Sequence, residues 1–163
     1  IGRDRYLCLH QQTKGMGNRR LKSCILVADD DADDRMLIEQ AFRETQLNSR
    51  LVFVEDGEDL LNYLNQRPPY EEALRPSLVL LDLNMPRKNG IQALREIKAS
   101  EHLKQIPVVV LTTSTADEDI IRTYDLGVSS YISKPFDYHT LLDITRTIKK
   151  YWIDTVSLPD DSN

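Results

Sequence analysis

The feature that most constrains the fold is a set of five short apolar runs, each separated from the next by a segment with helical periodicity. One of these runs, Ser77 to Leu81, follows Pro76 and ends on the carboxylate of Asp82. Continuous apolar runs of this length are typical of strands that are buried on both faces of a parallel sheet. The predicted strands are Cys24–Ala28, Leu51–Val54, Ser77–Leu81, Pro107–Leu111 and Tyr131–Ser133.

Apolar residues at helical spacing predict five helices that alternate with these strands. Strict alternation predicts a parallel sheet with right-handed crossovers. The fold class is therefore α/β, a flavodoxin-like (βα)5 doubly wound sheet of strand order 2-1-3-4-5. The long connection 66–76 is predicted to be a surface insertion. The predicted helices are Asp33–Thr45, a helix around Leu60–Leu64, a helix around Ile91–Lys98, Asp117–Leu126 and Tyr138–Trp152, the last with Tyr151 facing inward.

The length of 163 residues suits a single domain with an ordinary core. Residues 1–20 are expected to be an N-terminal extension, disordered or a leader, because they have no apolar period. Because Met16 is the first methionine, residues 1–15 are the part expected to be a leader. Residues 21–153 would form the domain, and residues 154–163 a C-terminal tail too short to fold as a DNA-binding output module.

Charge and composition exclude several classes of function. The net charge is -5, which argues against nucleic acid as a partner, and the first 20 residues hold five basic side chains against Asp4, so the acidity lies in the remainder. Neither a membrane-length apolar run nor a secretory signal is present. Cys8 and Cys24 are too few for a disulfide framework. These observations predict a cytoplasmic protein without nucleic-acid or membrane partners.

Polar groups stand at the ends of four predicted strands. Asp29 and Asp30 follow the first strand, Asp82 the third, Thr112 the fourth and Lys134 the fifth. Taken singly, each has an ordinary reading: a helix cap, a turn former or a solvated lysine. Because the carboxyl ends of parallel strands meet at one edge of the sheet, the four together predict a single pocket.

The residue types in that pocket indicate phosphoryl transfer. Crowded carboxylates repel each other, and a hard cation such as Mg²⁺, which prefers oxygen ligands, relieves the repulsion. Lys134 adds a second positive charge, so that the pocket can position and neutralise a phosphoryl group. Asp82 is the better nucleophile because it stands alone, which leaves Asp29 and Asp30 to hold metal.

These motifs give the chain a family resemblance. Ile-Leu-Val-Ala-Asp-Asp-Asp, Leu-Leu-Asp-Leu-Asn-Met-Pro with Asn89-Gly90, Val-Leu-Thr-Thr-Ser and Tyr-Ile-Ser-Lys-Pro-Phe resemble the response-regulator receiver domain, the CheY-like fold of two-component signalling. The resemblance covers Lys22 to about Trp152. It implies that Asp82 accepts phosphate from a phosphohistidine on a sensor histidine kinase, in a reaction that the domain itself promotes.

The resemblance also assigns roles around the acceptor. Asp30, Asp82 and the backbone carbonyl of Asn84 would bind Mg²⁺, with Asp29 helping through water. Lys134 would contact the phosphoryl group and precede a cis bond to Pro135.

Thr112 and Tyr131 would form the switch of such a family member. The Thr112 hydroxyl would turn onto the phosphate and Tyr131 would swing inward, which changes the face formed by strand 4, helix 4 and strand 5. Asn84 and Ser114 lie where the family tunes autodephosphorylation.

Two peripheral segments resemble a narrower group, the single-domain regulators that serve bacterial and especially cyanobacterial phytochromes. They are Arg67–Pro76 and Lys150–Pro159. Such relatives form homodimers, and Tyr151 to Ile153 would either lie in that interface or complete the core contacts of the last helix. The downstream partner would be another protein.

Three other functions share parts of this pattern. A haloacid-dehalogenase-like phosphatase also uses an aspartate after a buried strand, but its second acid corresponds to Asn84 here. A flavodoxin-like FMN binder would cradle phosphate in its first loop, where Asp29 and Asp30 repel it. A pseudo-receiver that acts by shape alone would not need Asp30, Asp82, Thr112 and Lys134 together.

Overall fold

The sheet has five parallel strands in the order β2-β1-β3-β4-β5, as predicted. The computed structural model describes residues 23–159, so the predicted extension 1–20 lies outside the described residues, as does the end of the predicted tail. Ala28 pairs with both Val54 and Leu81, so β1, β2 and β3 end at the same level of the sheet. The strands are β1 (Cys24–Ala28), β2 (Arg50–Val54), β3 (Leu78–Leu81), β4 (Val108–Thr112) and β5 (Ser130–Ser133).

Five α-helices cover the two faces of this sheet, which confirms the doubly wound prediction. Leu60, Leu94 and Ile97 pack in the core on one face, while Phe42 and Leu141 pack on the other. The central strands β1, β3 and β4 are buried along their whole length, as their apolar runs predict. The helices are α1 (Ala32–Glu44), α2 (Gly57–Leu64), α3 (Gly90–Ala99), α4 (Asp117–Asp125) and α5 (Tyr138–Ile148).

The end of the last helix differs from the sequence prediction. The α-helix ends at Ile148 and continues as a π-helical turn, Lys149–Ile153. The wider π turn changes the direction of the side chains that follow. Trp152 and Ile153 therefore pack against the core, while Tyr151 is 53% exposed. The Tyr151 ring lies edge-on to the Trp152 ring, with 5.1 Å between the ring centroids. The prediction that Tyr151 faces inward is wrong.

The connection between α2 and β3 is an ordered surface segment. The Tyr63 hydroxyl donates to the carbonyl of Leu74 at 3.0 Å, and the Gln66 amide donates to the carbonyl of Ala73 at 2.9 Å. The Tyr70 ring lies edge-on to that of Tyr63. Side-chain contacts thus hold the predicted insertion against the C-terminal end of α2. In the described part of the chain, no helix has the length and apolar character that crossing a membrane requires.

Candidate functional site

The strand ends converge as the sequence predicts. The Lys134 ammonium lies 2.7 Å from Asp29 Oδ2 and 3.2 Å from Asp82 Oδ2. Carboxylate oxygens of Asp29, Asp30 and Asp82 all lie within 4.8 Å of one another. Thr112 completes the group, since its hydroxyl donates to Asp82 Oδ1 at 2.8 Å. Side chains from four strand ends therefore share one pocket.

Backbone hydrogen bonds that continue the ladders beyond the strands fix these positions. The N–H of Asp29 donates to the carbonyl of Val54 at 3.0 Å, and the N–H of Asp82 donates to that of Ala28 at 2.9 Å. The N–H of Lys134 donates to the carbonyl of Thr112 at 2.7 Å. The acids and the lysine are held by sheet geometry and not by flexible loops, which gives the pocket a defined shape.

The Asp82 carboxylate is buried and has three donors. Oδ1 accepts from the Thr112 hydroxyl and, at 3.2 Å, from the backbone N–H of Asn84, while Oδ2 faces Lys134. Gly90 fits directly against the backbone of Asp82: a Cβ at Gly90 would lie 2.3 Å from the Asp82 carbonyl oxygen. The turn after β3 therefore requires glycine at this position. The Asn84 side chain is exposed at the rim.

Asp34 is a member of the site that sequence reasoning missed. Its Oδ2 lies 2.7 Å from the Lys134 ammonium. The sequence prediction placed it only within the helix Asp33–Thr45. The signal that could have found Asp34 is the helix cap. The Asp31 carboxylate accepts from the N–H groups of Asp33 and Asp34, and with the helix beginning there Asp34 lies beside Lys134.

The electrostatics of the pocket are dominated by one buried ammonium among carboxylates. Burial raises the pKa of Asp29 above its ordinary value, although its hydrogen bond to Lys134 and the charge of Lys134 oppose that shift. Burial alone would lower the pKa of Lys134, but hydrogen bonds to Asp29 and Asp34, together with the charges of Asp29 and Asp82, outweigh it and raise the pKa above its ordinary value. Lys134 is therefore fully charged at neutral pH.

Tyr131 lies outside this pocket. Its hydroxyl donates to the carbonyl of Ser114 at 3.0 Å, and its ring is half-buried. Ser114 in turn donates from its hydroxyl to Asp119 at 2.6 Å and from its N–H to the Thr112 hydroxyl at 3.4 Å. The predicted switch residues are thus joined through the loop between β4 and α4.

The bond before Pro135 is not the cis bond that the resemblance implies. Among residues 23–159 the cis peptide bond is Pro68–Pro69, and Lys134–Pro135 is trans. The trans form is the lower-energy isomer of an X–Pro bond. Lys134 nevertheless reaches all three acidic partners with this trans bond.

The donor set fits a hard divalent cation. Three carboxylates meet within one ion's reach, and Asp34 adds a fourth acid nearby, against one ammonium group. Mg²⁺ takes one or two protein carboxylates, keeps several waters and tolerates a phosphoryl oxygen in its shell. Asp30, whose side chain is exposed, gives such an ion access from solvent.

The fold and this site define a receiver domain of two-component signalling, and the comparisons show it: the family model "Response regulator receiver domain" matches residues 25–146. The chain belongs to this family. Among curated relatives, it is 40% identical to Response regulator Rcp1 of Synechocystis sp. over 138 residues, which is 85% of this chain and 93% of that protein.

Solved structures give the same result. The phosphorylated cyanobacterial phytochrome response regulator RcpA superposes with a TM-score of 0.81 at 40% identity, covering 85% of this chain and 99% of that one. The Mn²⁺-bound form of Rcp1 gives a TM-score of 0.80 at 38% identity with the same coverage. The chain is thus homologous to phytochrome response regulators, and the phosphatase alternative is not favoured.

Proposed function

We propose that Asp82 is the phosphoacceptor of this receiver domain. In the transfer, an Asp82 carboxylate oxygen forms a bond to phosphorus while the P–N bond of a phosphohistidine breaks, and the imidazole leaves with its electron pair. The observation that carries the proposal is the environment of Asp82. It is the one acid in the pocket that contacts both the Thr112 hydroxyl and the Lys134 ammonium.

Each neighbour has a role that follows from its contacts. Lys134 lies 3.2 Å from Asp82 Oδ2 and would neutralise charge on the transferred group. The backbone N–H of Asn84 and the Thr112 hydroxyl orient the carboxylate. In this way the domain would promote its own phosphorylation and dephosphorylation. Asn84, which contacts Asp82, and Ser114, whose N–H faces the Thr112 hydroxyl, would set the rate of phosphate loss.

Asp30, Asp82 and the backbone carbonyl of Asn84 would hold Mg²⁺, with Asp29 acting through water. The ion would supply charge neutralisation for the phosphoryl oxygens. The carboxylate cluster supports this assignment, and so does the binding of Mn²⁺, another hard divalent cation, by the homologous Rcp1.

Signal output would use the β4–α4–β5 face. The Thr112 hydroxyl would turn from Asp82 to the phosphate, and Tyr131 would leave the Ser114 carbonyl and move inward. This face would then bind a downstream protein. The phosphate donor would be a histidine kinase of the phytochrome class, because the homologous RcpA is a phytochrome response regulator. Tyr151, exposed in the π turn that follows α5, would contribute to a homodimer.

Acetyl phosphate with Mg²⁺ tests the acceptor. The wild-type chain should gain one phosphoryl mass by intact mass spectrometry, and Asp82→Asn should gain none. Asp137→Asn is the matched control, because Asp137 is an exposed helix cap whose hydrogen bond an asparagine can also make. Labelling of Asp82→Asn to the wild-type extent would refute the assignment.

A further inference from the structure

The segment Glu55–Gly57, where β2 passes into α2, contacts both loops that carry the proposed metal ligands. On the β1 side, Arg35 links it to Asp29. One Arg35 nitrogen donates to the backbone carbonyl of Asp29 at 2.8 Å, and another pairs with Glu55 at 3.3 Å. The Arg35 side chain thus connects Glu55 to the backbone of the loop that follows β1.

On the β3 side, the same segment contacts the loop after Asp82. The Asp56 carboxylate is 1% exposed; its Oδ1 caps α2 and its Oδ2 pairs with Arg87. The N–H of Gly57 donates to the carbonyl of Lys88 at 2.9 Å. A Cβ at Gly57 would lie 2.4 Å from that carbonyl oxygen, so the two backbones are in direct contact.

Arg87 pairs with Asp56 from a conformation that an arginine rarely adopts. Its φ is 61°, in the left-handed region, which persists in a non-glycine residue only where surrounding contacts hold it. The loop from Asn84 to Asn89 is therefore held at Arg87 and Lys88 by the β2–α2 segment and at Gly90 by the backbone of Asp82. In the chain, Asn84 lies between Asp82 and the attached residues Arg87 and Lys88.

We propose that Asp56 and Arg87 are a positioning pair that sets the β3–α3 loop, and thereby the affinity of the acidic pocket for a divalent cation. The inference rests on the proposed function, since it assigns the Asn84 carbonyl to the metal. Neither residue belongs to the carboxylate cluster of Asp29, Asp30 and Asp82. In this proposal the pair acts on the ion through the geometry of the loop and not by ligating it.

The sign of the effect separates positioning from simple charge. Removing the positive charge of Arg87 near a cation site should strengthen cation binding by Coulomb's law alone. Loss of positioning should weaken it. The double variant Asp56→Asn with Arg87→Met removes one charge of each sign, so its effect on the ion has no net contribution from charge. Asn at position 56 can still cap α2.

Mn²⁺ is the probe, and free Mn²⁺ is counted by its electron paramagnetic resonance signal. Arg87→Met and the double variant should each bind Mn²⁺ about tenfold more weakly than wild type, the low end of the loss when a partner that orients metal ligands is removed. Arg87→Lys, which keeps the charge, should recover part of the affinity. Arg146→Met is the matched control: Arg146 is 57% exposed, close to the 61% of Arg87, and pairs with Asp143 in the last turn of α5.

A second measurement follows the rate of labelling by acetyl phosphate against Mg²⁺ concentration. Arg87→Met should shift the midpoint to higher Mg²⁺ and reach the wild-type plateau, because the acceptor and Lys134 are untouched. If Arg87→Met does not fold, the double variant, which leaves no buried charge unpaired, is read in its place.

Binding by Arg87→Met or by the double variant that equals or exceeds wild type would overturn the role of the pair. If wild type at the same time binds Mn²⁺ and becomes labelled on Asp82, that result refutes the positioning role of the pair and leaves the proposed function standing. A wild-type chain that neither binds Mn²⁺ nor becomes labelled refutes the proposed function, and this inference with it.

Discussion

Replacing Lys134 with methionine removes the one ammonium group that contacts three of the pocket's carboxylates. Its side chain is 10% exposed, and it lies 2.7 Å from Asp29, 2.7 Å from Asp34 and 3.2 Å from Asp82. Removing one partner of a buried ion pair costs about 3–5 kcal/mol, because the remaining charge stays buried without compensation. Asp34 is partly exposed and its contact is screened. We therefore expect a loss of about 3 kcal/mol in the free energy of unfolding without divalent cations.

Saturating Mg²⁺ should restore most of that loss, because a bound cation replaces the missing positive charge. Urea unfolding followed by circular dichroism, in EDTA and in Mg²⁺, measures both values. Lys149→Met is the control: Lys149 pairs with the single carboxylate of Asp154 near the surface, and its loss should cost under about 1 kcal/mol in either buffer. Equal stability of Lys134→Met and wild type in EDTA, or an equal deficit in both buffers, would refute the reasoning.

The pH dependence of the same variant has a definite sign. The pKa of Asp29 in the folded protein is raised, chiefly by burial, and the hydrogen bond and charge of Lys134 oppose the shift. Removing Lys134 therefore raises the pKa further. The folded variant then binds more protons than the unfolded chain, so its stability in EDTA falls as pH rises through the folded pKa. The deficit relative to wild type should shrink on acidification toward pH about 4, the ordinary carboxyl range. A deficit that grows on acidification would contradict this account.

Three further changes test other parts of the structure. Gly90→Ala places a Cβ 2.3 Å from the Asp82 carbonyl oxygen and 2.7 Å from the Leu83 Cα. We therefore expect the free energy of unfolding in urea to fall by about 3 kcal/mol and Asp82 to be labelled more slowly. Wild-type values for both would contradict the close packing of Gly90 against the Asp82 backbone. Thr112→Val loses a hydrogen bond to a carboxylate, so it should be about 2 kcal/mol less stable to urea in EDTA, and it should still accept phosphate. Normal partner binding by its phosphorylated form in a pull-down would rule out the switch role. Tyr63→Phe loses the bond that holds Leu74, far from the site, and should cost about 1 kcal/mol in urea unfolding with unchanged labelling; a labelling defect would show that the insertion acts on the pocket.

The sequence predicts the pocket because parallel strands leave few alternatives. Once Cys24–Ala28 and Leu78–Leu81 are neighbours in register, Asp29 and Asp82 must emerge at the same level. The same reasoning brings Thr112 and Lys134 to that edge through the pairing of β4 with β5. What is predictable here depends only on backbone topology, which apolar periodicity determines well.

Contacts that depend on the direction of a side chain were not predictable in this way. Asp34 lies 100 residues from Lys134 in the chain, and its contact depends on which residue of an acidic turn begins α1. The pairing of Asp56 with Arg87 likewise depends on a left-handed arginine that no propensity favours. Tyr151 faces outward because α5 widens into a π turn, which helical spacing does not anticipate.

The position of Lys134 links the charge of the pocket to the proposed output. The Lys134 ammonium is farther from Asp82 than from Asp29 and Asp34. If Lys134 moves to contact a phosphoryl group on Asp82, it must therefore leave its shorter contacts with Asp29 and Asp34. Its backbone N–H is bonded to Thr112, whose hydroxyl lies between Asp82 and the N–H of Ser114. A hydroxyl that turns toward a phosphate leaves that N–H, while Tyr131 holds the carbonyl of the same residue. The loop between β4 and α4 is thus held at one residue, Ser114, by the Thr112 hydroxyl on its N–H and by the Tyr131 hydroxyl on its carbonyl. Under the proposed function, a change of charge at Asp82 would therefore reach the proposed output face through Thr112, Ser114 and Tyr131, which are linked by hydrogen bonds.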